Sequence, residues 1–234
     1  MDLEAAKRRS TAVTTTPDVL TVDVAEATLA LLLSSTRLIA QADAFVRAEK
    51  WEAGQNFQLD IRLAGKQVGI IGVGKIVSEI ARLLGGFNVQ ISYVSRFTQL
   101  AGAQLFVHLA ELAEWSDILI CAIAATAETR NMIDASILEK LGPEGIFVNV
   151  SLGGVVSGAG MIEVLADKRL GGATLDVFSD EPHVPQALKN MPNVVLTPHM
   201  ASASLPARQT ISDIVVQIVL NNRGHPTLLV GLVK

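Results

Sequence analysis

The chain has 234 residues, half of them hydrophobic and 18% charged, with a formal net charge of −4. That length allows one large α/β domain or a domain plus a fragment of another, and the acidic balance argues against a broad nucleic-acid footprint. The single cysteine, Cys121, excludes an internal disulfide framework, and the longest wholly apolar run near the middle, Ile118 to Ala125, is far too short to cross a bilayer.

The N-terminus has no long apolar segment, and Asp2 and Glu4 argue against a transit peptide, so a cytoplasmic location is expected. Residues 2 to 9 read as a short helix, with Lys7-Arg8-Arg9 as a solvated face, and Thr11 to Thr15 as a strand. Pro17 and Asp18 break the pattern. Asp23-x-x-Glu26 resembles a capping box, and Leu29, Leu32, Leu33, Thr36 and Ala40 line one face of a long helix over 23–47. A polar loop, Gly54 to Asp60, follows.

The next stretch organises the rest. Val68 to Ile71 is a short apolar run, expected as a buried parallel strand, and a glycine turn follows at Gly72 and Gly74. Ile76, Ile80, Leu83 and Leu84 fall at helical spacing, Gly85-Gly86 ends that helix, and Val89 to Val94 reads as a second strand. This is the opening of a dinucleotide-binding fold. The first glycine permits the tight turn, and the second lets the backbone approach a pyrophosphate at the helix N-terminus. The third glycine of the usual fingerprint is replaced by Val77, which should push the helix outward somewhat.

The alternation continues through strands at 118–123, 146–150, 173–177 and 194–197, with helices at 109–113, 136–141 and 161–167. Six candidate strands separated mostly by helices predict a doubly wound parallel sheet of the Rossmann type. The last helix carries Ile211, Ile214, Val215, Ile218 and Val219 on one face, and Leu228 to Val233 forms an apolar tail.

In such sheets the ligand lies beyond the carboxyl ends of the strands. An enzyme using NAD usually places an acidic residue about 20 positions after the glycines to hold the ribose 2′-hydroxyl. Here Ser95 stands 21 positions after Gly74 (95 − 74) and Arg96 follows it, with no carboxylate nearby. A guanidinium pairs well with a 2′-phosphate, which favours NADPH over NADH; the alternative is an arginine on a solvated loop. Glu181 and His199 sit at two other strand ends. A carboxylate beside an imidazole fixes its tautomer, and such a pair suits proton donation to a ketone oxygen as a hydride reaches its carbon. His108, His183 and His225 read as structural or exposed.

These residues resemble the D-isomer-specific 2-hydroxyacid dehydrogenases, in particular the plant-type NADPH-dependent hydroxyphenylpyruvate, hydroxypyruvate and glyoxylate reductases. The stretches that carry the likeness are Thr16-Pro-Asp-Val-Leu-Thr-Val-Asp-Val-Ala25, Gly69-Ile-Ile-Gly-Val-Gly-Lys-Ile76, Ile91-Ser-Tyr-Val-Ser-Arg96, Leu175-Asp-Val-Phe-Ser-Asp-Glu-Pro182 and Val194-Val-Leu-Thr-Pro-His199. The resemblance implies an NADP-dependent reductase of a small 2-oxoacid, with no metal, no nucleic acid and no membrane partner, and with the helix at 23–47 helping to form a homodimer. It places the catalytic pair on Glu181 and His199. It puts the cofactor on Gly72, Val73, Gly74, Lys75, Ile76, Ser95 and Arg96, with Val150 and Ser151 lining the nicotinamide side and Asp176 contacting the nicotinamide amide.

Two departures matter. The family's active-site arginine falls on Leu152 in Asn149-Val-Ser-Leu-Gly153, and leucine can neither bind a substrate carboxylate nor polarise a keto oxygen. The chain also enters the family pattern late. Residues 1–20 then read as the remnant of a flavodoxin-like substrate domain, 21–204 as the dinucleotide domain, and 205–234 as a helix and tail returning to the substrate side. Impaired catalysis is the expectation, with a non-catalytic NADP-binding remnant or a dinucleotide-sensing interaction protein as alternatives.

Overall fold

A computed structural model describes residues 2–72, 74–95 and 100–222. The chain opens with α1 (Leu3–Arg8), α2 (Thr21–Thr36) and α3 (Ile39–Arg47). Strand β1 (Gln67–Ile71), helix α4 (Lys75–Leu84) and β2 (Gln90–Val94) form the first crossover unit, followed by β3 (Gln104–Phe106) and α5 (Leu109–Trp115). Then come β4 (Ile118–Cys121), α6 (Ala135–Glu139), β5 (Ile146–Asn149), α7 (Gly158–Ala166), β6 (Gly172–Leu175), α8 (Gln186–Lys189), β7 (Val194–Leu196) and α9 (Leu205–Asn222).

The strands form one seven-stranded sheet, order β3-β2-β1-β4-β5-β6-β7, with every neighbouring pair parallel. The doubly wound architecture read from the sequence is therefore correct. Strand side chains alternate between two buried layers, as period-two geometry requires. Val68, Ile70, Ile118, Ile120, Ile146 and Val148 face the layer that contains α2 and α4. Ile71, Leu119, Cys121, Phe147, Ala173 and Leu175 face the layer that contains α5 and α7. Because β1 lies between β2 and β4, the winding direction reverses beside it, and the crevice beyond its carboxyl end is the topological switch point.

Several local expectations need correction. Thr11 to Thr15 is not a strand, and only Thr14 makes a bridge. Asp23 is not a helix cap: α2 begins at Thr21 with Leu20 as its N-cap and no side-chain cap bond, so Asp23 lies within the first turn, where its charge suits the helix dipole. The long helix is broken. Leu38 takes the left-handed conformation, φ 53°, and α2 and α3 meet at a 60° bend. A seventh strand, β3, joins the six expected from the sequence. Val77 is accommodated with 1% exposure in the layer with Val24 and Leu84. The apolar stripe of α2 is mostly consumed in the core, where Leu31, Leu32 and Thr36 are buried, whereas α3 leaves Ile39 and Val46 exposed. Helix α9 exposes Val215, Val216, Val219 and Leu220. The tail Leu228 to Val233, with His225, lies outside the described residues. No single helix among the described residues is long and apolar enough to cross a membrane.

Candidate active site

Gly72 ends β1 with φ +106°, a region open to glycine. A Cβ there would lie 2.4 Å from Ile123 Cγ2, so the turn needs glycine for both torsion and space. Gly74, the N-cap of α4, differs. Its backbone is extended, φ −167°, and a Cβ on it would meet nothing within 4 Å. The protein itself does not require glycine at 74; the open space lies above a helix N-terminus that has no side-chain cap. Uncapped N–H groups and the positive end of the helix dipole together suit a phosphate.

Two clefts share Gly72, Ile123 and Ala124 as a common wall. One, about 610 Å³, is lined by Thr16, Asp18, Gly74 and Lys75. The other, about 480 Å³, is lined by Val94, Ser95, Thr126 and Glu128. A bipartite crevice of this kind at the switch point fits a dinucleotide, with pyrophosphate over α4 and a nucleoside beyond β2. Lys75 and Ile76 begin α4, and Lys75 Nζ pairs with Asp18 Oδ2 at 2.5 Å on the cleft rim. Val73 and Arg96 lie outside the described residues. Two acidic side chains in these walls, Asp18 and Glu128, were not among the sequence-derived site residues. Asp18 falls inside Thr16 to Ala25, one of the stretches that carry the family likeness, and Glu128 falls in none of them.

The remaining strand ends carry the polar groups of the site. Beyond β5, Val150 donates its N–H to Cys121 O at 3.1 Å. Ser151 donates its N–H and its hydroxyl to Asn149 Oδ1 at 3.1 and 2.8 Å, and its Oγ lies 3.3 Å from Cys121 Sγ. Burial raises the Cys121 thiol to about 11, against a smaller opposing effect from Ser151, so it stays a protonated, inert core group. Leu152 is 43% exposed, so its side chain reaches solvent without any charge to offer. The next residue is pinned: a Cβ on Gly153 would fall within 1.9 Å of Phe178 C.

Glu181 and His199 come together, as the sequence reading expects. His199 Nδ1 lies 2.7 Å from Glu181 Oε2, and Glu181 Oε1 accepts the Phe178 N–H at 2.9 Å. Burial pushes the Glu181 carboxyl up. The hydrogen bond to His199, the Phe178 N–H and the imidazole charge outweigh it and hold the carboxyl below its ordinary value. A pocket of about 350 Å³, walled by Phe178, Pro182, Val184 and Pro198, opens beside the pair, with Lys189 on its lining. Asp176, at the end of β6, is held from within the fold. It has no exposed surface, and its carboxylate accepts the Thr197 hydroxyl and the Met200 and Ala201 N–H groups at 2.6, 2.8 and 2.9 Å.

A parallel doubly wound sheet, a bipartite crevice at its switch point and a carboxylate–imidazole pair on the same edge define a dinucleotide-binding protein with acid–base capacity. Residues 29–201 match the D-isomer specific 2-hydroxyacid dehydrogenase, NAD binding domain. The chain belongs to that family. It is 41% identical to glyoxylate/hydroxypyruvate reductase A of Arabidopsis thaliana, over 92% of this chain and 69% of that protein. It is 39% identical to hydroxyphenylpyruvate reductase of Plectranthus scutellarioides, over 97% of this chain and 73% of that one. Its fold superimposes, with a TM-score of 0.94 and 38% identity, on an NADPH-dependent glyoxylate/hydroxypyruvate reductase from Sinorhizobium meliloti solved with NADP and malonate; the match covers 100% of this chain and 74% of that one.

Proposed function

We propose that this chain binds NADPH in preference to NADH and reduces a small 2-oxoacid (hydroxypyruvate, glyoxylate or hydroxyphenylpyruvate) to the D-2-hydroxyacid, slowly because position 152 lacks a cation. The observation that carries the reading is the 2.7 Å contact of His199 with Glu181 at the sheet edge that also bears the glycine crevice. When bound, the reduced nicotinamide supplies the hydride that the keto carbon accepts. Glu181 occupies His199 Nδ1, so the proton for the keto oxygen is carried on Nε2. Glu181 fixes that tautomer and steadies the charged imidazole. Gly74 and the first turn of α4 receive the pyrophosphate, with Lys75 at its side. Ser95 and Arg96 receive the 2′-phosphorylated ribose, and Val150 and Ser151 flank the nicotinamide. The relative of known structure described as NADPH-dependent supports the cofactor preference.

Leu152 favours one second reading, a chain that holds NADP with little turnover. Lack of a charge-assisted bond to the substrate carboxylate weakens binding by about 1.5–3 kcal/mol. Lack of a donor to the developing oxyanion lowers the rate on the order of 10²–10³. Fluorescence titration with NADPH and NADH, followed by assays with the three 2-oxoacids on the same sample, tests both readings. Tighter NADPH binding with slow reduction is the expected result. Equal affinities would remove the role given to Arg96. Binding with no turnover at high enzyme concentration would leave the second reading.

A further inference from the structure

We propose that Asp176 is the positioning residue of this site: it holds the chain from Thr197 to Ala201 in the conformation that brings His199 onto Glu181. The residues around His199 converge on it. Oδ1 accepts the Thr197 hydroxyl at 2.6 Å and the Met200 N–H at 2.8 Å, and Oδ2 accepts the Ala201 N–H at 2.9 Å. The Asp176 carbonyl accepts the His199 N–H itself at 2.8 Å. Pro198, between them, has no N–H to place.

The arrangement answers a local need. His199 has φ +52°, the left-handed region that a residue with a Cβ avoids unless its surroundings over-determine it. Bonds on both sides of the residue supply that determination. A carboxylate suits the position because it only accepts, and three donors point at it. An asparagine of the same shape would set an NH₂ group against one of them. The resemblance would send this carboxylate to the nicotinamide amide. The three bonds to Thr197, Met200 and Ala201 are a separate, internal role for the same carboxylate.

The role rests on reading Glu181 and His199 as the acid–base pair, but the geometry it maintains is measurable without turnover. The test uses the 234-residue chain and its Asp176→Asn and Thr197→Val variants. Carbon-13 NMR titration follows the Glu181 carboxyl. Asp134 is the internal reference, because Ser136 and not His199 holds its carboxyl low. The expected result is a Glu181 midpoint that rises to the ordinary glutamate range in Asp176→Asn and part of the way in Thr197→Val, while Asp134 stays fixed. A Glu181 midpoint equal to wild type in a folded Asp176→Asn chain would overturn the proposal. If that variant does not fold, Thr197→Val decides on the same criterion, since it keeps the carboxylate and removes one bond. NADPH titration separates the remaining role: weakened binding with Glu181 unmoved would assign Asp176 to the cofactor and overturn positioning. A wild-type chain that neither binds NADPH nor reduces a 2-oxoacid would end the functional reading, and the Glu181 titration would still decide this one.

Discussion

His199 Nδ1 and Glu181 Oε2 lie 2.7 Å apart although 18 residues of chain separate them. The carboxyl titrates below its ordinary value of 4.5 in the folded chain. A group with a depressed folded pKa stabilises the fold above its unfolded pKa, and that contribution is lost as pH falls through the folded value. Thermal melts taken from neutral pH down to pH ~3 should show wild type losing its advantage over Glu181→Gln only on the acid side of the ordinary glutamate range. A difference between the two that stays constant with pH would contradict the pairing. In the reductase assay, His199→Ala should lower kcat by about 10²–10⁴, the usual reach of one general acid.

The two glycines of the crevice should separate folding from binding. Gly72→Ala places a Cβ against Ile123 at a left-handed position and should destabilise the chain by about 1–3 kcal/mol. A Cβ at Gly74 meets nothing within 4 Å, so Gly74→Val should cost only the poorer N-cap, about 0.5–1 kcal/mol. Its NADPH affinity should nonetheless fall, because the added side chain occupies the approach to the pyrophosphate. Paired melts and titrations check this; unchanged NADPH affinity in Gly74→Val would move the phosphate elsewhere.

Lys75 shares its charge with Asp18 on the rim of the same cleft, with side chains 69% and 56% exposed. An exposed pair of this kind contributes about 0–1 kcal/mol. Asp18→Asn should free Lys75 for the cofactor phosphates and tighten NADPH binding by at most about fivefold, with little effect on stability. The gain should shrink as salt rises, because exposed charges are screened. Weaker binding in Asp18→Asn would show that the carboxylate assists the cofactor.

Leu152 is half exposed beside a residue pinned against Phe178, so a longer side chain there need not be buried. Leu152→Arg should restore a cation for the substrate carboxylate. A gain of about 1.5–3 kcal/mol corresponds to roughly 10–150-fold in kcat/KM for hydroxypyruvate. Steady-state kinetics on both chains check it. No gain would mean that this side chain does not face the substrate.

Legibility tracked the strength of local pattern. The run Val68 to Ile71, the glycines at 72 and 74 and the amphipathic Ile76, Ile80 and Leu84 announced a crossover unit because each signal repeats within a few residues. Strand β3 escaped because its three residues are largely exposed and show no apolar alternation. The break at Leu38 escaped because a left-handed leucine has no sequence signature. Asp23 looked like a cap, but the helix starts two residues earlier at Thr21. In the site, Glu181 and His199 were readable from their strand-end motifs, whereas the likeness over Thr16 to Ala25 assigned Asp18 no role and Glu128 entered the crevice wall from a loop with no motif.

Apolar periodicity and turn chemistry act over neighbouring residues, so the parallel, doubly wound sheet and the glycine turn at its first strand are written in local stretches of the chain. One buried carboxylate, Asp176, gathers the groups around His199 only once the chain has folded. Its partners lie 21, 24 and 25 residues further along the chain, and hydrogen bonds at that range depend on where parallel strands end in space. No local pattern of residues encodes that meeting.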